Sequence, residues 1–204
     1  MAERAARSIV LASGSAARRA LLEGAGVAFT VRAADVDEVA LRQELARRGI
    51  SSPEQVAAHL ARAKAETVSR ALPAALVIGA DQVLDFEGEV LAKAESAAAA
   101  RDSLRQLRGK RHALHSAVVI AEGGVTRWET IETARLDMRA FSDGFLEDYV
   151  RLAGPALTAS VGAYQLEGPG IQLFEAIEGD YFTILGLPLL PLLAKLRGMG
   201  ALST

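Results

Sequence analysis

Apolar residues recur along this chain with two periods, one of strands and one of helices. Residues 8–12 read as a short strand, and their apolar run from Ile9 to Ala12 is the pattern of a strand buried on both faces. Ser13 and Ser15 stop it, and either serine suits the N-cap of a helix reaching residue 25, with Gly26 just past its end. Residues 28–34 read as β. An acidic connector at 35–38 leads to a helix at 39–48 that Gly49 ends. Ser52-Pro53-Glu54-Gln55 is a capping-box start with proline at the first helical position, and it opens a helix to residue 72. On that helix Val56, Leu60, Ala63, Thr67 and Ala71 make one stripe. Residues 75–78 are the next buried strand, which ends at Gly79-Ala80-Asp81-Gln82, and 85–88 are a turn. Ser96 caps a helix to Leu107. Residues 112–121 and 126–139 are long β segments around Gly123-Gly124, a hairpin. Ser142 caps a helix to residue 153, residues 162–170 are a glycine-rich loop, 172–177 are β, and Pro188 starts the last helix.

Strands and helices therefore mix around one long hairpin, with no internal repeat and no Pro/Ser-rich linker. That pattern predicts an α/β fold whose sheet is mixed. A chain of 204 residues suits one domain, residues 1–204, with room for two lobes around a cleft. The strand ends at Ser13, Asp81 and Gly162 are expected to converge on that cleft.

Composition narrows the function. Half the residues are hydrophobic and 24% are charged, enough for a packed core. The net charge of -2 gives no support to a general nucleic-acid surface, while a local basic pocket stays open. The absence of cysteine excludes disulfides, thiolate zinc sites and cysteine nucleophiles. Glu3, Arg4 and Arg7 interrupt any secretory apolar region. The apolar stretch 184–196 is short and carries Pro188 and Pro191, so no membrane span is expected. These readings predict a soluble cytoplasmic protein with no membrane or nucleic-acid partner. Arginine outnumbers lysine 19 to 4, which singles out Lys64, Lys93, Lys110 and Lys195 as places where a compact ammonium is used.

Several positions carry candidate chemistry. A strand, a small-residue turn and a helix start at residues 9–22 present free backbone N–H groups, and Arg18 and Arg19 add full charges. Two readings are open: an ordinary capped helix with solvated arginines, or a cradle for an anion. Asp81 follows an apolar strand and a glycine, which suits a metal ligand or general base at a strand end, or a turn aspartate. Gln82 beside it can read a base edge through its amide. Lys64 lies at the margin of its helix stripe, where snorkelling is the plain alternative. Lys93 lies between a strand and a helix start, where an exposed loop residue is the plain alternative. With Arg18 they supply three positive groups for a polyphosphate. Glu38, Asp81, and Glu178 or Asp180 are hard-oxygen metal candidates favouring Mg²⁺ or Mn²⁺. His112 and His115, three apart on a strand, point to opposite faces and read as structural or surface residues; His59 reads as helix surface.

In order and spacing these motifs resemble the Maf-like nucleotide pyrophosphatases. They are "LASGSAARRALL" (11–22), "DVDE" (35–38), "LARAKA" (60–65), "GADQV" (79–83), "LAK" (91–93), "RGKRH" (108–112) and "GAYQLEGPG…GDYFTILGLPL" (162–189). The resemblance implies a two-lobed α/β fold with a central nucleotide cleft, similar to inosine triphosphate pyrophosphatases. It also implies a homodimer, a divalent cation (Mg²⁺, Mn²⁺ or Co²⁺), and hydrolysis of nucleoside triphosphates to monophosphate and pyrophosphate. Ser13, Ser15 and Arg18 match the phosphate loop, Glu38 the acid after the second strand, Lys64 and Lys93 the two lysines, and Asp81 the proton acceptor, with Glu38 and Asp81 at the metal. Ala17 stands where the family carries arginine or tryptophan, Ala16 replaces its proline, and Ala92-Lys93-Ala94 replaces Gly-Lys-Pro. Gln82 and Glu167 resemble the branch associated with 7-methyl-GTP and pyrimidine triphosphates. Two other classes fit the same phosphate contacts: a nucleotide-binding regulator of division or stress without turnover, and a nucleotidyltransferase.

Overall fold

The computed structural model describes residues 7–203; Glu3 and Arg4 lie outside them. The elements run β1 (Ile9–Leu11), α1 (Ala16–Gly24), β2 (Thr30–Val31), α2 (Glu38–Arg47), α3 (Pro53–Ala71), β3 (Leu76–Phe86), β4 (Glu89–Leu91), α4 (Ala97–Leu107), β5 (Arg111–Glu122), β6 (Val125–Met138), α5 (Asp143–Ala153), β7 (Phe174–Glu178), α6 (Tyr181–Ile184) and α7 (Leu189–Gly198). Three 3-10 turns lie between α5 and β7.

Local chemistry sets most helix starts. Ser15, Ser96 and Ser142 each accept a hydrogen bond from the backbone N–H three residues on, closing α1, α4 and α5. Each such cap is worth about 1 kcal/mol. Asp37 caps α2 in the same way. The capping box expected at Ser52 does not form: its hydroxyl bonds Glu54 Oε2 and no helix N–H, although Pro53 does open α3.

All seven strands form one mixed sheet in the order β2-β1-β3-β5-β6-β7, with β4 also on β3. β1 pairs in parallel with β2 and β3; the remaining pairs are antiparallel. Helices flank this sheet, which is the mixed α/β architecture the sequence predicts. β1 covers one edge of β3 at Leu76, Val77 and Ile78, and β4 covers the same edge at Leu84, Asp85 and Phe86. Between them residues 79–83 have no strand neighbour on that side, while β5 pairs continuously on the other from Val77 to Asp85. The sheet therefore has a notch in the middle of β3.

Several sequence expectations need correction. The strand expected to stop at residue 78 runs on to Phe86, so Asp81 and Gln82 sit mid-strand and not at a strand end or in a turn. The β segment expected at 28–34 contracts to Thr30–Val31. The expected 162–170 loop is present at 164–168, with short 3-10 turns entering it at both ends. The buried stripe of α3 is rotated: Val56 and Leu60 belong to it, but Ala61, Ala65 and Val68 continue it in place of Ala63, Thr67 and Ala71.

The notch separates two apolar cores. Ile78, Ala80, Val118 and Ile120 pack with α1 and α7 on one side. Leu84, Phe86, Leu114 and Leu136 pack with α4 and α5 on the other. α3 covers the opposite face through Val56, Leu60, Ala61 and Ala65 against Val83, Ala117 and Val119. Gly79 permits that contact: a Cβ there would lie 2.4 Å from the Ala61 carbonyl oxygen and 2.6 Å from the Ala65 nitrogen.

The two β5 histidines are structural and, as alternation requires, face opposite ways. His112 Nε2 meets Tyr164 Oη at 2.7 Å; His115 meets Thr133 Oγ1 at 2.9 Å and Asp85 Oδ2 at 3.1 Å. Burial pulls the His112 pKa down to about 4. Between that value and the ordinary 6.5 of histidine the unfolded chain binds a proton that the folded chain does not. Stability therefore rises with pH through this window, and the whole contribution, about 3 kcal/mol, is lost as pH falls across it. Urea unfolding near pH 4 and above pH 6.5 measures it. His112→Leu is expected to flatten the difference; an unchanged slope assigns the acid sensitivity to other groups.

Candidate active site

A cleft of about 540 Å³ opens at the notch. It is lined by ten of the residues singled out from the sequence: Ser13 and Ser15 from the β1–α1 turn, Ala17 and Arg18 from the start of α1, Glu38 from α2, Lys64 from α3, Asp81 and Gln82 from β3, Lys93 after β4, and Glu167 from a turn between two 3-10 segments. Asp81 and Gln82 point to opposite faces of β3, yet both reach the cleft because the strand edge between them is bare.

The centre of the site is a row of three charges. Lys64 Nζ donates to Asp81 Oδ1 at 2.6 Å and pairs with Glu38 Oε1 at 2.7 Å. This is a fixed partner arrangement and not snorkelling. The side chains of Asp81 and Lys64 are 7% and 13% exposed, whereas Glu38 is 41% exposed, so the row runs from the buried floor to the mouth. Burial raises the Asp81 pKa; Lys64 and Arg18 oppose the rise and Glu38 adds to it. Asp81 Oδ2 is enclosed and has no hydrogen-bond partner among the described residues. An acceptor in that state is costly unless a ligand, an ion or water uses it.

Arg18 is buried and does more than cap a loop. Its Nε donates to the Gly186 carbonyl at 2.8 Å, and its Nη1 donates to the Ala80 carbonyl at 2.9 Å and to Ser13 Oγ at 3.2 Å. It thereby fills the bare edge of β3 and ties α1 to the turn after α6. Gly186 has φ 88°, a conformation that suits glycine and aims its carbonyl at the guanidinium. Burial lowers the Arg18 pKa, with Asp81 and Glu38 opposing. Nη2 has no hydrogen bond among the described residues. Arg19, the other arginine of the turn, is exposed and lies outside the cleft lining.

Gln82 is more committed than the sequence suggests. Its Nε2 donates to Ser116 Oγ at 2.9 Å and to the Thr183 and Ile184 carbonyls at 3.0 Å, so only Oε1 remains for a ligand. This polar group sits between the two apolar cores, opposite Ser116 in the register. Lys93 and Glu167 are exposed on the rim. Glu178 and Asp180 do not join the site: Glu178 pairs with Arg111, and Asp180 caps α6. Among the lining residues that sequence reasoning missed, two stand out. Tyr164, buried and held by His112, gives the cleft an aromatic wall; the only sequence signal was its place in the "GAYQLEG" run. Arg42, one turn after Glu38, carries no sequence signal of its own.

No cluster of three or more His, Cys, Asp or Glu side chains among the described residues is arranged to hold a metal alone. Glu38 and Asp81 with its bare oxygen offer a hard-oxygen pair that fits Mg²⁺ or Mn²⁺, provided the ligand and water complete the coordination. No helix of the described residues is long and apolar enough to cross a membrane.

Fold and cleft together define a mixed α/β protein whose split sheet edge carries a carboxylate–ammonium–carboxylate row under an arginine-filled turn. The chain belongs to the Maf-like protein family, whose model matches residues 8–199. It is 50% identical over 194 residues to the 7-methyl-GTP pyrophosphatase of Rhizobium meliloti (strain 1021), spanning 95% of this chain and 97% of that protein. It is 51% identical over 189 residues to the 7-methyl-GTP pyrophosphatase of Brucella abortus biovar 1 (strain 9-941), spanning 93% and 94%. It is 49% identical over 197 residues to the nucleoside triphosphate pyrophosphatase of Gluconobacter oxydans (strain 621H), spanning 96% and 97%.

Proposed function

We propose that the cleft hydrolyses nucleoside triphosphates to nucleoside monophosphate and pyrophosphate, with 7-methyl-GTP or pyrimidine triphosphates as the preferred substrates. The observation that carries this reading is the Glu38–Lys64–Asp81 row with the unpartnered Asp81 Oδ2 at its inner end. The relatives' names support the reaction class, and two of them support 7-methyl-GTP as the base.

Water attacks the α-phosphorus in line, the bond to the α,β-bridging oxygen breaks, and pyrophosphate leaves. Asp81 Oδ2 takes the proton of the water. Its burial-raised pKa makes it a stronger base than an ordinary aspartate, and Lys64 keeps it ionised and oriented. The Ser13–Arg18 turn holds phosphate oxygens through backbone N–H groups at the start of α1 and the free Nη2 of Arg18. Lys93 adds charge from the rim. Glu38 and Asp81 are the residues that would hold a divalent cation, which would offset phosphate charge. The base lies against Tyr164, Leu114 and Ile184, with Glu167 at its edge. A cytoplasmic homodimer with no nucleic-acid or membrane partner completes this reading.

The test is pyrophosphate release from a panel of 7-methyl-GTP, GTP, dTTP, UTP, CTP and ATP, with Mg²⁺, Mn²⁺ or Co²⁺. Release without an acceptor is expected, with ATP poor. Tight binding without release supports a regulator instead, and release that needs an acceptor supports a nucleotidyltransferase. On the same panel Glu167→Gln is expected to move the ranking toward thymine and uracil, because an amide offers a donor that an ionised carboxylate lacks. Ala17→Trp is expected to raise relative activity on 7-methyl-GTP by giving its cationic base a stacking face. A ranking that both variants leave unchanged places base recognition elsewhere.

A further inference from the structure

The cationic groups of the cleft are not equally available. Lys64 is compensated on both sides, by Asp81 and by Glu38. Arg18 spends Nε and Nη1 on two backbone carbonyls and Ser13. Arg42 differs from both. It lies on α2 one turn after Glu38 and lines the cleft. Its nearest carboxylate oxygen, Glu38 Oε2, is 3.7 Å from Nη2, too far for a hydrogen bond. Its Nε is enclosed and has no hydrogen-bond partner among the described residues. A guanidinium is a five-donor fork suited to phosphate oxygens, and an enclosed N–H without an acceptor is a group that a ligand satisfies.

Position says which part of the ligand this is. Asp81 and Lys64 mark the reacting end at the floor, whereas Glu38 and Arg42 stand at the mouth with side chains 41% and 37% exposed. We infer that Arg42 binds the β- and γ-phosphates, the part that leaves as pyrophosphate, and so sets selectivity for the length of the phosphate chain. The inference rests on the pyrophosphatase reading for its substrate, but its central test does not need turnover.

Arg42→Met and Arg42→Lys are compared with the unaltered protein. Inorganic tripolyphosphate binding, measured by calorimetry with and without Mg²⁺, is expected to weaken about 10- to 100-fold in Arg42→Met. In Arg42→Lys, which keeps the charge but not the fork, part of that loss is expected to be recovered. Inhibition of hydrolysis by pyrophosphate is expected to weaken by a like factor, inhibition by nucleoside monophosphate to stay unchanged, and KM to rise more than kcat falls. Equal tripolyphosphate affinity in all three proteins overturns the inference. So does a fall in kcat with an altered pH profile and unchanged pyrophosphate inhibition, because that pattern means Arg42 acts only by orienting Glu38. If the unaltered protein binds tripolyphosphate but releases no pyrophosphate from any nucleotide, the proposed reaction fails while the calorimetric comparison still decides Arg42.

Discussion

Asp81→Asn is expected to lower kcat by about 10²–10⁴-fold, the range general base catalysis supplies, while leaving the protein at least as resistant to heat. The two halves of that result have one cause. Burial raises the Asp81 pKa, so holding the carboxylate ionised costs the folded state more than the unfolded one. The sign follows directly: a raised carboxyl pKa gives stability that is present at acid pH and is lost as pH rises through the folded value. The amide removes that charge and keeps the size. Lys64 retains Glu38 as a partner at 2.7 Å, so the change strands no ammonium. Activity and stability therefore move apart, as they do where a buried group is held ionised for chemistry. Calorimetry and steady-state kinetics on one preparation check both. Near-normal kcat removes Asp81 from the reaction; a much lower melting temperature makes its role structural. The partner variant, Lys64→Met, is expected to shift the acid limb of kcat/KM to higher pH, because Lys64 is the largest influence holding the Asp81 pKa down.

Gly79→Ala is expected to destabilise by roughly 3 kcal/mol, the upper end of what one added methyl does in a packed core, and to impair activity beyond that. The obstacle is backbone. The new Cβ would stand 2.4 Å from Ala61 O and 2.6 Å from Ala65 N, and no rotamer change relieves a clash with a helix's own main chain. α3 has to move off β3, and it carries Lys64 between those two alanines. Activity at temperatures where the variant remains folded is thus expected to fall as the Lys64–Asp81 contact lengthens. Gly24→Ala, with nothing within 4 Å of its Cβ, is the control and is expected to be neutral or slightly stabilising. Equal stability of the two variants means that α3 does not sit this close to β3.

What could be read before the structure was mostly local. The serines before α1, α4 and α5 announce those helices because a cap is a contact within four residues. The Gly123-Gly124 hairpin is legible for the same reason. Ten candidate site residues reach one cleft while Glu178 and Asp180 do not, and the gathering came from a resemblance and not from periodicity. The failures share a cause in distant contacts. The local pattern ends β3 at residue 78, before Gly79-Ala80-Asp81-Gln82, and the partner that neutralises Asp81 within the strand lies 17 residues back on α3. The α3 stripe was misplaced because small alanines were needed opposite Gly79, and size matching across elements leaves no periodic mark. Arg42 leaves no mark in the sequence because nothing local to a helix reports which way its outer face opens.

β3 and β5 pass unbroken beneath both apolar cores, and this governs how a ligand enters and leaves. Rotating one core against the other would have to break a ladder paired from Val77↔Ala121 to Asp85↔Ala113. The floor of the cleft is thus a fixed platform without a hinge. Traffic falls to the rim, where residues 159–167 lie in and around short 3-10 turns and α2 presents Glu38 and Arg42. Such segments have poorer backbone hydrogen bonds than the ladder and open at lower cost. Product escape is then a loosening of the doorway over a floor that stays in place.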